Sequence, residues 1–301
     1  MATYIRYGEV DGAFSFYSKK VKLLLKMENR YFLVFVLLSS VLVASGQVVL
    51  NCNYDHLSVN GAVGYGCDLK NVRVDRETDR IIVMGDHQPG MTNNDVVRLT
   101  IMNSQTGFII TQLFTQFPNL HQLEISNGGL QRIQPNAFVL ARNLRSLVIQ
   151  GNNLIVLQAN SFNHMMVLDT LILRSNNIQL MDANTFVGLT SLRYLFINNE
   201  GIRMIQPNTF RPLTSLVMLS LGSNHIERVD AEMLVNNRQL HSVFLENNNI
   251  NAIQPTIINN INSIQILSLS SNPCINHVII PRAASSDDIN EMLNKCYANW
   301  H

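Results

Sequence analysis

The feature that most constrains this chain is one pattern repeated at a fixed spacing. Leu144, Leu147, Ile149, Asn152, Leu154, Leu157 and Phe162 return 24 residues later as Leu168, Leu171, Leu173, Asn176, Ile178, Met181 and Phe186. The same step carries Val96, Leu99 and Ile101 on through Leu120, Leu144, Leu168, Leu192, Leu216, Leu240 and Ile264 without an insertion. A period of this length means stacked units, none of which can bury its apolar face alone. In each unit the L-x-L segment predicts a short strand with its leucines inward and their neighbours outward. Parallel pairing from unit to unit gathers those strands on one side. Phe114, Phe138, Phe162, Phe186 and Phe210, followed by Leu234 and Ile258, form a column that fills the other side of the core. Burial of each such side chain contributes on the order of 1.5–3 kcal/mol.

The motif L-x-x-L-x-L-x-x-N-x-L resembles the extracellular leucine-rich-repeat family, and among its members the short secreted animal, insect-like proteins with 24-residue repeats. The resemblance implies an α/β solenoid: a right-handed horseshoe with a parallel concave sheet, about eight repeats over residues 96–271, and disulfide-bonded caps at both ends. Asn152, Asn176, Asn224, Asn248 and Asn272 are expected to turn inward and satisfy backbone groups of the turns. Two units carry Gly128 and Glu200 in this place instead. Each has an asparagine one position earlier (Asn127, Asn199) and a glycine one position later (Gly129, Gly201). The expectation is that the earlier asparagine takes over, helped by the permissive glycine, and that Glu200 is a solvated carboxylate.

The amino end reads as a targeting segment. Arg30 precedes the apolar run Tyr31 to Leu38, which continues through Val41, Leu42 and Val43 to Ala44-Ser45-Gly46. A positive flank, a short apolar core and small residues predict a secretory signal over 27–46, cleaved before Gln47, with residues 1–26 an uncertain extension. An uncleaved anchor is the rival, because Tyr31 to Leu50 approaches spanning length. Cys52 and Cys67 fall before the repeats, Cys274 and Cys296 after them. Eight units stacked at roughly 4.8 Å each hold the two pairs far apart, whereas a disulfide needs Cα atoms within about 7 Å. Only Cys52–Cys67 and Cys274–Cys296 are therefore expected.

Residues 47–95 read as the amino-terminal cap, with Asn60-Gly61, Gly64 and Gly66 in turns and strands at Val72–Val74 and Ile81–Val83. Gly61 to Gly66 lacks phosphate-loop spacing and reads as cap loop. Residues 272–301 read as the carboxy-terminal cap, with a helix opened by Ser285 and Ser286 and carrying Ile289, Met292 and Leu293. No apolar tail or anchor motif follows, so the expectation is a free, secreted, extracellular product without stable membrane insertion.

Enzyme motifs are missing from the sequence: there is no H-E-x-x-H, G-x-S-x-G or phosphate loop. His225-Ile226-Glu227 with Cys274 faintly suggests a zinc site, but Ile226 is a core position and Cys274 lies two units away. No cofactor or metal is expected. A formal net charge of +1 and 14% charged residues give no electrostatic case for nucleic acid. The informative residues are those pointing outward from the strands. Val148, Ile172, Tyr194, Phe196, Met218 and Phe244 gather in the middle of the face, rimmed by Gln150, Arg174, Asn198 and Glu246. An apolar, aromatic centre with a polar rim has the anatomy of a protein-binding surface. The family resemblance points to the same face. No N-x-[ST] sequon follows the signal to place a glycan over it. The expected function is non-enzymatic recognition of a protein ligand, in adhesion, signalling or innate immune recognition. Self-association into an extracellular assembly, or inhibition of a secreted enzyme, are the alternatives.

Overall fold

The computed structural model describes residues 21–27, 30–36, 46–59, 62–254, 257, 264–281 and 286–297. The chain divides into two units, Met1–Ser45 and Gly46–His301. In the first, β1 (Val21–Met27) pairs antiparallel with β2 (Arg30–Val36). Most of the segment leading to the expected cleavage point, residues 37–45, lies outside the described residues. Among the described residues no helix is long and apolar enough to cross a membrane.

The second unit opens with β3 (Gln47–Asn51), β4 (Asn53–Val59), β5 (Ala62–Lys70) and β6 (Arg80–Met84). Here the cap departs from expectation. Residues 62–70 are a strand, not a glycine-punctuated loop, and Val72–Val74 makes only a single bridge, Arg73 to Gln105. The glycines serve close packing: a Cβ at Gly66 would collide with the Arg98 guanidinium, and one at Gly64 would sit 2.7 Å from Val97 Cγ2. The Asn60-Gly61 turn lies outside the described residues. Ile81–Val83 does fall within β6, which pairs parallel with β3.

Beyond the cap come β7 (Arg98–Met102), the one-turn α1 (Leu113–Gln116), β8 (Gln122–Ser126), β9 (Ser146–Gln150) and the lateral β10 (Val156–Leu157). Next are β11 (Thr170–Arg174), lateral β12 (Leu180–Met181), β13 (Tyr194–Asn198), β14 (Met218–Ser220) and lateral β15 (Arg228–Val229). The series ends with β16 (Ser242–Phe244), lateral β17 (Ala252–Ile253), β18 (Ile266–Ser268), β19 (Val278–Ile279) and α2 (Ser286–Tyr297). From β7 to β18 eight strands pair in parallel with a strict 24-residue register, as in Leu147, Leu171 and Leu195. Antiparallel β4 and β19 stand at the two edges of this eleven-stranded sheet, so neither end exposes a parallel strand directly.

The inward leucines are fully buried, and the phenylalanine column stands behind them. Phe138, Phe162, Phe186 and Phe210 stack with centroids 5.9–6.1 Å apart. Disulfides join Cys52 to Cys67 and Cys274 to Cys296, with no free cysteine. The carboxy-terminal cap works through α2, whose Ile289, Leu293 and Cys296 recur at helical spacing on one buried stripe.

The asparagine places hold a ladder. Asn152 donates from Nδ2 to the Ile125 and Gln150 carbonyls and accepts from the Gly128 and Leu130 N–H groups. Asn248 repeats this geometry with Leu221, Leu245 and Ile226. The two irregular units correct the sequence expectation. Glu200 is only 5% exposed and takes the inward place itself. Its carboxylate accepts from the Asn176 and Ile178 N–H groups at 2.7–3.0 Å and from Asn176 Nδ2 at 3.2 Å. Burial pushes its carboxyl above the usual range, while the N–H donors pull the other way. Asn127 and Asn199 remain exposed and have a different task. With Asn103, Gly151, Ser175, Ser223, Asn247 and Ser271 they form the left-handed corner of each turn, at φ 51–63°. Asparagine tolerates that conformation better than most residues, which is why it recurs there. Gly129 adopts positive φ as expected; Gly201 does not.

Candidate functional site

The strand register brings every predicted site residue to the outward side of the parallel sheet. Val148, Ile172 and Phe196 stand opposite one another on β9, β11 and β13, as do Gln150, Arg174 and Asn198. Tyr194 pairs with Met218. Arg174 is exposed and the others are part-exposed, and Tyr194, Phe196 and Phe244 stay out of the core. The patch is less continuous than its sequence suggests, because buried Ser220 separates Phe196 from Phe244.

Charge dresses the aromatic centre. The Arg174 guanidinium lies over the Phe196 ring at 5.4 Å, and Arg193 lies over Tyr194 at 5.1 Å. Arg193 also pairs with Asp169, which together with nearby Tyr194 holds its guanidinium more firmly protonated than usual. Neither Arg193 nor Asp169 was in the predicted set. They belong to the column Arg145, Asp169, Arg193, one residue ahead of the strands, whose alternating sign at the 24-residue step is legible in the sequence.

Nearer the amino-terminal cap a hollow of about 770 Å³ opens on the same face, floored by Thr100, Glu124, Val148 and Ile172 and walled by Arg98, Arg145, Asp169 and Arg193. Sequence reasoning missed it because its polar residues carry no apolar pattern. Arg98 anchors its end. The guanidinium donates to Asp68 Oδ1 at 2.7 Å, Asp55 Oδ1 at 2.8 Å and Thr100 Oγ1 at 2.8 Å, with its side chain 9% exposed. Glu124 accepts from Ser126 Oγ and Gln150 Nε2, tying the floor of the hollow to the predicted rim. A larger hollow of about 970 Å³ lies at the turns beside Glu77 and Arg132, away from the strand face. Among the described residues no group of three or more histidines, cysteines or carboxylates is placed to hold a metal ion.

Residues 142–202 and 195–250 match the family model described as Leucine rich repeat. Over that stretch the chain is similar to leucine-rich repeats. Solved structures support the same fold. A TLR13–ssRNA13 complex superposes with a TM-score of 0.57 at 21% identity, covering 65% of this chain and 29% of that one. A leucine-rich-repeat protein of Leptospira interrogans gives 0.52 at 21% identity, covering 60% of this chain and 44% of that one. This chain therefore spans less than half the length of either, and such identities speak for the leucine-rich-repeat fold alone. No curated protein matches the chain.

Proposed function

We propose that this leucine-rich-repeat chain is a secreted, non-enzymatic scaffold that binds a protein ligand through its concave face, after removal of residues 27–46 as a signal. The observation that carries the reading is the register: Ile172, Tyr194, Phe196 and Met218 lie side by side on adjacent strands, part-exposed, beside polar Gln150, Arg174 and Asn198. Apolar anchors ringed by polar groups give a protein partner both buried area and register. Two disulfides support an oxidising, extracellular address. The neighbour complex with ssRNA13 makes RNA the competitor to weigh. On this face Asp169, Glu124 and Glu246 interleave with the arginines, whereas a phosphate backbone favours an unbroken basic stripe.

Capture from extracellular fluid with the natural chain, compared with Phe196→Asp plus Phe244→Asp, tests the reading. Loss of one or more protein partners is the expected result. Identical partner sets, or retention of RNA rather than protein with steep salt dependence, would overturn it. Self-association is favoured by a separate observation: Val156, Leu180 and Met204 form an exposed apolar row on successive repeats, the last two 61% and 62% exposed. Sedimentation at micromolar concentration distinguishes the two, since concave-face recognition leaves the isolated chain monomeric.

A further inference from the structure

We infer that the concave face carries a notch for one cationic side chain of the protein ligand, an arginine or a lysine, formed by Glu246 and Asn198 on either side of Gly222. This deepens the concave-face reading and rests on it. The three residues occupy one outward position on successive repeats, tied by backbone hydrogen bonds from Asn199 N–H to the Gly222 carbonyl at 3.3 Å and from Ser223 N–H to the Glu246 carbonyl at 2.9 Å.

Glu246 Oε2 and Asn198 Oδ1 are both shielded from water and have no hydrogen-bond donor. The orientation of the Asn198 amide is held by its other end: Nδ2 donates to Ser220 Oγ at 2.8 Å and to the Gly222 carbonyl at 3.4 Å. Turning the amide over would set two carbonyl oxygens against each other. Gly222 is required by space and not by its backbone, which is outside the left-handed region. A Cβ there would lie 2.6 Å from Glu246 Oε1 and 3.3 Å from Asn198 Nδ2. The missing side chain is what lets the carboxylate and the amide lean toward one another.

Unpaired buried acceptors are unfavourable, and an unpaired carboxylate oxygen most of all. The Glu246 oxygen calls for an N–H donor that carries positive charge, and a guanidinium or an ammonium has further N–H groups to offer the Asn198 amide oxygen. Phe244, two residues before Glu246 on the same face, adds an aromatic wall that also favours a cation. On the other side the face of Phe196 is already taken by Arg174. An anion would meet Glu246, and a purely apolar group would leave both oxygens unsatisfied. Glu246 as a whole stays part-exposed, so rotation about its own side-chain bonds opens the notch.

The test selects binders from a displayed random-peptide library against the full chain, then measures the best peptide with its basic residue intact and replaced by neutral citrulline or norleucine. The natural chain is expected to select a fixed arginine or lysine and to lose about tenfold or more in affinity on the replacement. Glu246→Gln should remove most of that discrimination, and Gly222→Ala should weaken the intact peptide, both with unfolding midpoints that report a folded chain. Peptides that depend on Phe196 and Phe244 but tolerate the neutral replacement would overturn the notch and leave concave-face recognition standing. Failure to select peptides, or peptides indifferent to Phe196→Asp plus Phe244→Asp, would overturn both.

Discussion

Glu200 Oε2 accepts the backbone N–H of Ile178 at 2.7 Å, from the place where neighbouring repeats use an asparagine amide. The substitution keeps one half of the asparagine's work. A carboxylate accepts, as Asn152 Oδ1 does, but when ionised it cannot donate to a carbonyl as Asn152 Nδ2 does. The consequence is a ladder with one rung whose carboxyl, through burial, keeps its proton to higher pH than usual, against the pull of its N–H donors.

The first prediction concerns pH. Burial raises the folded carboxyl of Glu200 above its unfolded value, so the folded state binds a proton that the unfolded state has already released. The associated stability is fully present below the ordinary carboxylate range and is lost as pH rises through the raised folded value. Glu200→Gln has the same shape, carries a donor and does not titrate. It should stabilise the chain at neutral pH by on the order of 1 kcal/mol. It should also flatten the pH dependence of urea unfolding between weakly acidic and neutral conditions. A slope unchanged by the substitution would contradict this.

A complete rung should be harder to lose. Asn248→Ala removes donors to the Leu221 and Leu245 carbonyls, both at 3.0 Å, and the acceptor for Ile226 N–H. Each buried group left unsatisfied costs about 1–3 kcal/mol, so a total loss of about 3 kcal/mol is expected from the unfolding midpoint. A loss no larger than at an exposed asparagine such as Asn153 would show that water enters the turn.

The left-handed corners make a separate test. Gly151 sits at φ 63°, and a Cβ there would collide with Asn127 Oδ1. Gly151→Ala should therefore destabilise by about 1–2 kcal/mol from the backbone alone, plus displacement of Asn127. Ser175→Asn, at φ 56° in the next repeat, should be neutral or slightly stabilising. Thermal unfolding of the two variants in parallel gives the comparison.

These corners also show what the sequence could and could not disclose. The period, the strand register, the phenylalanine column and the two disulfide pairings follow from spacing, because a stacked unit permits only one set of inward positions. Glu200 was misread because a lone carboxylate in an otherwise apolar repeat looks like surface until its backbone donors are seen. Gly64 and Gly66 looked like turn punctuation because a glycine required by a neighbour's bulk, here Val97 and Arg98, is indistinguishable in one dimension from one required by φ. The outward columns were legible, so the predicted face came out in register. Its arginines lying over Phe196 and Tyr194, and the hollow beside them, depend on side-chain directions that periodicity does not carry.

The last prediction addresses the cap end of that face. Arg98 bridges β4, β5 and β7 through Asp55, Asp68 and Thr100, and its Nε has no partner of its own. Asp68 is nearly as buried as the arginine, while Asp55 keeps 30% of its side chain exposed. Arg98→Ala leaves Asp68 as a buried, uncompensated charge, a change that costs about 3–5 kcal/mol when a buried pair is broken from one side. Arg98→Lys should recover only part of this, because an ammonium is compact and lacks the planar fork that reaches two carboxylates and a hydroxyl at once. Gly66→Ala should resemble the alanine variant without removing any charge, since the new methyl would occupy the space of the guanidinium. Hydrogen exchange distinguishes local from global effects: faster exchange confined to β4, β5 and β7 is expected, with β11 and β13 protected as in the natural chain. In a stacked array each unit leans mainly on its neighbours, so loss of protection at β13 in the Arg98 variant would show coupling across the whole sheet.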